Sequence, residues 1–311
     1  MNKKKLVIAI VVILVVVVLG IGIYVYIQEQ NDDANNQNEI NVESSLQENS
    51  NESNMVNSEN TIDNQNNRED IEIGTTEERG FIIDNVYHSE SQGDIHYASY
   101  FPDGFDENKN YAIYFALPGW EGLYFQGIGA NMGEPYPYEA QNYVSDMIII
   151  SPQLDDWGEE SADDTIALVE YFLNNYNIDK SRVYISGASG GGETLSIVLG
   201  KRPELFTSAL FISSQWDGDL EVLANARTPL YMVIGENDSY YGSQKAKDAY
   251  EELHNIYEEQ GLSDEQINDI LVLDVKEHNY FTSQGMQDEH AGLGLFAYDE
   301  NVMSWVFSKT K

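Results

Sequence analysis

Gly187-Ala188-Ser189-Gly190-Gly191 follows residues 182–186 (RVYIS), which read as a strand, and opens GGGETLSIVLGKR, which reads as a helix. Gly-x-Ser-x-Gly between a strand and a helix presents a serine hydroxyl as a nucleophile. The glycines have a steric reason. A sharp turn strains the backbone at Ser189 and brings the flanking chain close, so side chains at 187 and 191 would collide. The helix start leaves N–H groups free for a developing oxyanion, Gly190 first among them. The bland alternative is a glycine-rich helix start that packs or binds phosphate. A dinucleotide fingerprint fits poorly, since it needs G-x-G-x-x-G after the first strand and an acidic residue about 20 positions on.

A serine nucleophile needs a base, an acid to orient it and a second oxyanion donor. Five histidines are available. His88 and His96 precede the central strands, and His254 falls inside a helical stretch. His278 and His290 follow the last strand, and either could reach Ser189. His290 begins HAGLG, where a glycine lets the base project from a loop, and His278 lies three residues past Val275. The acid is expected after residues 229–234 (PLYMVI), in Gly235-Glu236-Asn237-Asp238, with Asp238 and Glu236 as candidates. The second oxyanion N–H is expected from Trp120, in the Pro118-Gly119-Trp120 loop that follows residues 111–117 (YAIYFAL).

These residues must be held by alternating strands and helices. Residues 81–86 and 95–101 read as antiparallel edge strands. Residues 111–117, 146–150, 182–186, 229–234 and 270–275 read as strands, several of them apolar throughout. Residues 162–176, 190 onward, 243–260 and 302–307 read as helices. Continuous apolar strands between helices predict an α/β fold, a mostly parallel sheet covered on both faces. The carboxylates at 155, 156, 159, 160, 163 and 164 match no calcium-loop spacing and read as a solvated helix start, so no metal and no cofactor is expected.

The stretch from 163 to 206 resembles the α/β-hydrolase superfamily. It is similar to the polyhydroxybutyrate-depolymerase and feruloyl-esterase-like group, near the prolyl-oligopeptidase-type serine hydrolases. The resemblance rests on Ile178, Asp179, Arg182, Tyr184, Gly187, Ser189, Gly191, Pro203 and Phe206. It implies a Ser-Asp-His enzyme acting on esters or, less often, peptides. It assigns the acid to Asp238 through a G-x-x-D pattern and the base to His290 in a glycine-flanked loop before the terminal helix, with His278 as the alternative base and Glu236 as the fallback acid. The group usually carries His-Gly where this chain has Pro118-Gly119. That departure keeps the glycine and removes the histidine that would support the oxyanion loop.

The 311-residue chain has 53 acidic residues against 16 Lys and Arg, a net charge of −37. A basic surface for nucleic acid is therefore not expected. With no cysteine, a thiolate nucleophile, a disulfide scaffold and a zinc–thiolate site are excluded. Lys3, Lys4 and Lys5 precede a charge-free apolar run at 6–27. At about 1.5 Å per residue this run spans a bilayer core of roughly 30 Å. It predicts a membrane anchor over 1–28 with the remainder outside the cell, a cleaved signal peptide being the alternative. Residues 29–78 are acidic and Asn-rich with no hydrophobic period, and are expected to be a disordered linker. Residues 79–311 are expected to be one catalytic domain with a solvated acidic surface.

The expectation is a surface-tethered serine esterase. Acetyl or feruloyl esters on polysaccharide, short polyesters and simple carboxylic esters are its candidate substrates. A peptidase of the same fold is the second reading; a gating propeller, which would limit substrate size, is not visible in the sequence, and this favours esters. A catalytically inactive binding module on a tether is the third.

Overall fold

The structure, a computed structural model, describes residues 70–311. The expected anchor at 6–27 and the expected linker as far as residue 69 lie outside the described residues. Among the described residues no helix is long and apolar enough to cross a membrane.

Among the described residues ten strands form one sheet: β1 (Ile71–Glu72), β2 (Thr76–Glu78), β3 (Phe81–Ser89), β4 (Gly93–Tyr100), β5 (Tyr111–Leu117), β6 (Met147–Pro152), β7 (Ile178–Ala188), β8 (Ser208–Ile212), β9 (Leu230–Gly235) and β10 (Leu271–Lys276). Their order is β1-β3-β4-β6-β5-β7-β8-β9-β10, with β2 also paired to β3. From β6 to β10 the pairing is parallel, and β1 to β4 form the antiparallel front. The linker boundary expected at residue 78 is therefore corrected. Residues 71–72 and 76–78 pair with β3, since backbone hydrogen bonds to an existing strand order them despite their polar composition. β8 (SALFI), buried throughout, is a further central strand beyond those that the sequence predicts.

Strand β5 shows why the sheet needs two covers. All seven of its residues are buried. Tyr111, Ile113, Phe115 and Leu117 enter one apolar cluster, and Ala112, Tyr114 and Ala116 enter the other. That is the period of two expected of a strand buried on both faces.

Helices α1 (Tyr136–Ala140), α2 (Glu159–Asn175), α3 (Gly190–Lys201), α4 (Leu220–Ala226), α5 (Gln244–Glu259), α6 (Asp264–Ile270), α7 (His278–Thr282) and α8 (Glu300–Phe307) supply the covers. Leu168 and Phe172 of α2, Leu195 and Val198 of α3 and Leu253 of α5 pack on the first face. Tyr136 of α1, Phe281 of α7 and Val302 and Val306 of α8 pack on the second. Arg182 ties the N-terminal edges of β6 and β7 together. Its two terminal nitrogens reach the Asp146 carboxylate at 2.9 Å, and its Nε reaches Asp179 at 2.8 Å. These bonds to Asp146 and then Asp179 raise the guanidinium further above its ordinary range. The sheet's opposite, C-terminal edge is left to the loops that carry Gly119, Ser189 and Asp238.

Candidate active site

Ser189 sits between the end of β7 and the start of α3 with φ 52° and ψ −121°, a region that L-residues avoid. Its neighbours over-determine this strain. The Ser189 N–H donates to Ile212 O at 2.9 Å, and Ser189 O accepts from Gly192 N–H at 2.9 Å and from Ser214 Oγ at 2.6 Å. The glycine expectation holds in detail. A Cβ on Gly187 would lie 2.2 Å from Gly191 O, and one on Gly191 would lie 2.3 Å from Pro118 O. Gly190 faces the Trp157 indole, where a Cβ would meet Nε1 at 2.4 Å.

His290 Nε2 lies 3.0 Å from Ser189 Oγ, and His290 Nδ1 lies 2.8 Å from Asp238 Oδ2. Asp238 follows β9, and its side chain is fully buried. Its Oδ1 accepts the N–H groups of Tyr240 at 3.0 Å and Tyr241 at 2.9 Å. Both oxygens of the carboxylate are thus occupied, so its only ring contact can be with Nδ1. Tyr240 stacks on the His290 ring with centroids 5.3 Å apart, and Tyr241 meets it edge-on at 5.6 Å. A hydrogen-bonded carboxylate–imidazole–hydroxyl chain of this kind can draw the serine proton onto Nε2.

The alternative residues lie elsewhere. His278 opens α7 with a half-exposed side chain, and its Nδ1 sits 2.9 Å from Glu289 Oε1. Glu236 is exposed, and its backbone bonds to Lys276 and Ser243. His88 pairs with Asp94 and His96 with Asp84, both at 2.7 Å, while His254 lies near Glu258 on α5.

Gly190 is the first residue of α3, and Trp120 is the first residue of a short 3-10 turn over Trp120–Gly122. Neither N–H has an acceptor within its own helical turn, as helix starts require. Gly119 brings the Trp120 loop against the serine, since a Cβ there would lie 3.3 Å from Ser189 Cβ. Where the resembled group would carry a supporting histidine, Glu134 supports this loop instead, its Oε1 accepting the Gly119 N–H at 2.9 Å. A cavity of about 660 Å³ opens over Ser189 and His290, walled by Trp120, Trp157, Tyr240 and Leu293. The Trp120 and Trp157 rings are 5.3 Å apart.

Sequence reasoning missed Glu134, Glu193 and Glu289. Each reads in the sequence as one more solvated carboxylate of a very acidic chain. Glu193 accepts the Tyr241 hydroxyl at 2.6 Å. Burial and then the Glu193 bond hold the Tyr241 proton in place far above its ordinary range. Burial likewise raises the Glu193 carboxyl. Only the adjacency of Glu289 to His290 offered a signal for that residue.

Residues 154–291 match the prolyl oligopeptidase family. Among solved structures, a thermostable esterase superposes with a TM-score of 0.60 at 20% identity, over 75% of this chain and 63% of its own. Oligopeptidase B from Leishmania major gives a TM-score of 0.46 at 13% identity, over 73% of this chain and 37% of its own. An acetyl xylan esterase from Aspergillus awamori gives 0.41 at 17% identity, over 53% and 75% respectively. At 20% identity the likeness to the thermostable esterase is one of fold. No curated protein matches.

Proposed function

We propose that this chain, an α/β-hydrolase of the prolyl-oligopeptidase-like type, is a serine hydrolase that cleaves carboxylic esters through an acyl-enzyme. The observation that carries the reading is the unbroken chain from Asp238 through His290 to Ser189, at 2.8 Å and 3.0 Å.

In the proposed reaction His290 Nε2 takes the Ser189 proton as Oγ attacks the ester carbonyl. Asp238 holds the Nδ1–H tautomer and stabilises the imidazolium that forms. The N–H groups of Gly190 and Trp120 receive the oxyanion. Collapse expels the alcohol, which takes its proton from His290 and leaves an acyl-Ser189. Water then attacks the acyl-enzyme with His290 again as base, releasing the acid and restoring the serine.

The fold likeness to a thermostable esterase favours the ester reading. Acetyl or feruloyl esters on polysaccharide and short polyesters suit the aromatic walls of the cavity, because each offers a flat or apolar face to Trp120 and Trp157. The match to a peptidase family keeps peptide amides as the second reading. A panel of p-nitrophenyl acetate, methyl ferulate and peptide p-nitroanilides, each with a Ser189→Ala control, tests this. Turnover confined to the anilides would replace the ester reading with the peptidase one. Failure of a fluorophosphonate to label Ser189 would leave an inactive binding module.

The proposal also keeps residues 6–27 as a single membrane span with the hydrolase outside the cell, because a charge-free run of this length follows three lysines. Protease added to intact cells should then remove the hydrolase and spare a short stub. A soluble protein starting near residue 28 in the medium would instead indicate a cleaved signal.

A further inference from the structure

We propose that Glu289 is a positioning residue for the acid–base pair, locking the loop that carries His290 against the loop that carries Asp238. This rests on the Ser189–His290–Asp238 reading above.

Three consecutive residues of one loop pair with three consecutive residues of the other. Asp288 Oδ1 accepts Ser239 Oγ at 2.8 Å. Glu289 Oε2 accepts the Asn237 N–H at 2.6 Å, and Glu289 Oε1 accepts Asn237 Nδ2 at 3.1 Å. His290 Nδ1 meets Asp238 at 2.8 Å. The outer pair, Asp288 with Ser239, is exposed, whereas Glu289 is only 2% exposed. A carboxylate that deep is costly unless charge-assisted hydrogen bonds replace its water. Asn237 supplies two of them, and His278 Nδ1 stands 2.9 Å from Oε1 as a third neighbour.

The end of β9 is shaped to admit this group. A Cβ on Gly235 would come within 2.5 Å of Glu289 Oε2, so only glycine leaves the carboxylate its place. Glu289 therefore grips the residue before the acid and is itself the residue before the base. The Nδ1–Oδ2 separation depends on how these two loops sit against each other, and the Glu289 clamp sets that relation from one residue away. It also accounts for His278, which serves the clamp rather than the serine.

Glutamine at 289 has the same size but offers one oxygen and an N–H₂ group. Its N–H₂ replaces one acceptor and sets a donor against one of the two Asn237 donors, which opens the clamp without opening a cavity. The full-length Glu289→Gln, Asn237→Ala and Ser189→Ala proteins should be compared on p-nitrophenyl acetate, with functional sites counted by fluorophosphonate titration. Glu289→Gln is expected to lower kcat per titrated site by about tenfold or more with KM within about twofold, because misplacing a catalytic group by an ångström costs that much or more. Asn237→Ala keeps the backbone N–H and is expected to show a smaller loss of the same kind.

Wild-type kcat per titrated site in Glu289→Gln would overturn the inference, as would a loss explained wholly by fewer titratable sites, which marks a purely structural role. If Glu289→Gln yields no folded protein, Asn237→Ala decides. A fall in kcat of about threefold or more at constant KM supports the clamp, and wild-type kcat overturns it. Ser189→Ala keeps the two failures apart. Full turnover there removes the underlying reading, whereas an inactive Ser189→Ala beside a fully active Glu289→Gln removes only the clamp.

Discussion

The Asp238 carboxylate is enclosed on every side, with one oxygen on His290 Nδ1 at 2.8 Å and the other on the N–H groups of Tyr240 and Tyr241. Replacing it with asparagine keeps its volume but permits a side-chain N–H₂ to face the ring nitrogen, which then must accept. The wrong imidazole tautomer follows, and Nε2 can no longer take the serine proton. Asp238→Asn should lower kcat on an ester about 10³–10⁴-fold. Steady-state kinetics on a protein of unchanged far-UV circular dichroism measures this, and a loss below about tenfold would remove the acid role from Asp238.

His290→Ala should reduce ester turnover by about three or more orders of magnitude, because it removes the group that activates Ser189. His278→Ala should retain most of the turnover, since its ring faces Glu289 and is half exposed. The reverse pattern, an active His290 variant beside an inactive His278 variant, would exchange the two roles.

Gly191→Ala tests the elbow through stability. The added methyl would meet Pro118 O at 2.3 Å and Leu117 O at 2.7 Å, both backbone atoms that cannot swing aside. Overpacking of this kind costs about 1–3 kcal/mol. For a domain of this size that is a fall of roughly 2–12 °C in melting temperature. A melting temperature within 1 °C of wild type, in round terms, would mean that the elbow is looser than these distances imply.

Asp164, on α2, gives a pH signature. Burial, followed by the nearby Asp155, Glu160, Asp156 and Asp163 carboxylates, pushes its carboxyl up to about 7. Its folded value lies above its unfolded one, so the folded state holds the proton more tightly. Its contribution to stability is therefore present at low pH and is lost as pH rises from about 4 to about 7. Asp164→Asn should leave the melting temperature near pH 4 almost unchanged and raise it near pH 8. Thermal melts at both pH values check this, and equal shifts at both would place the effect outside ionisation.

Much of the site was legible because its chemistry is written locally. The elbow glycines are contiguous with Ser189, so their spacing along the chain is their spacing in space. Asp238 follows a strand whose apolar run marks its end, and HAGLG marks a loop able to project a base. His290 and His278 could not be separated by the residues alone, since both follow the last strand and resemblance to a known group tipped the balance. The tertiary structure places them apart, with the His278 ring against the Glu289 carboxylate and the His290 ring against Ser189.

By itself the sequence determined the elements whose period exceeds their noise: the two-faced strand β5, the amphipathic α2 and α5, and the strand–serine–helix turn. It also excluded thiolate chemistry outright through the lack of cysteine. Beyond Asp238, tertiary structure alone decided which of the 53 acidic residues stand at the site. A carboxylate's role depends on the donors that surround it and on its exclusion from water, and both come from chain segments far apart in sequence. Glu134 meets Gly119 from fifteen residues away, Glu193 meets Tyr241 from forty-eight and Glu289 meets Asn237 from fifty-two. The ordering of residues 71–78 has the same origin, because the hydrogen-bond partners that hold this polar segment belong to β3, and composition carries no record of them.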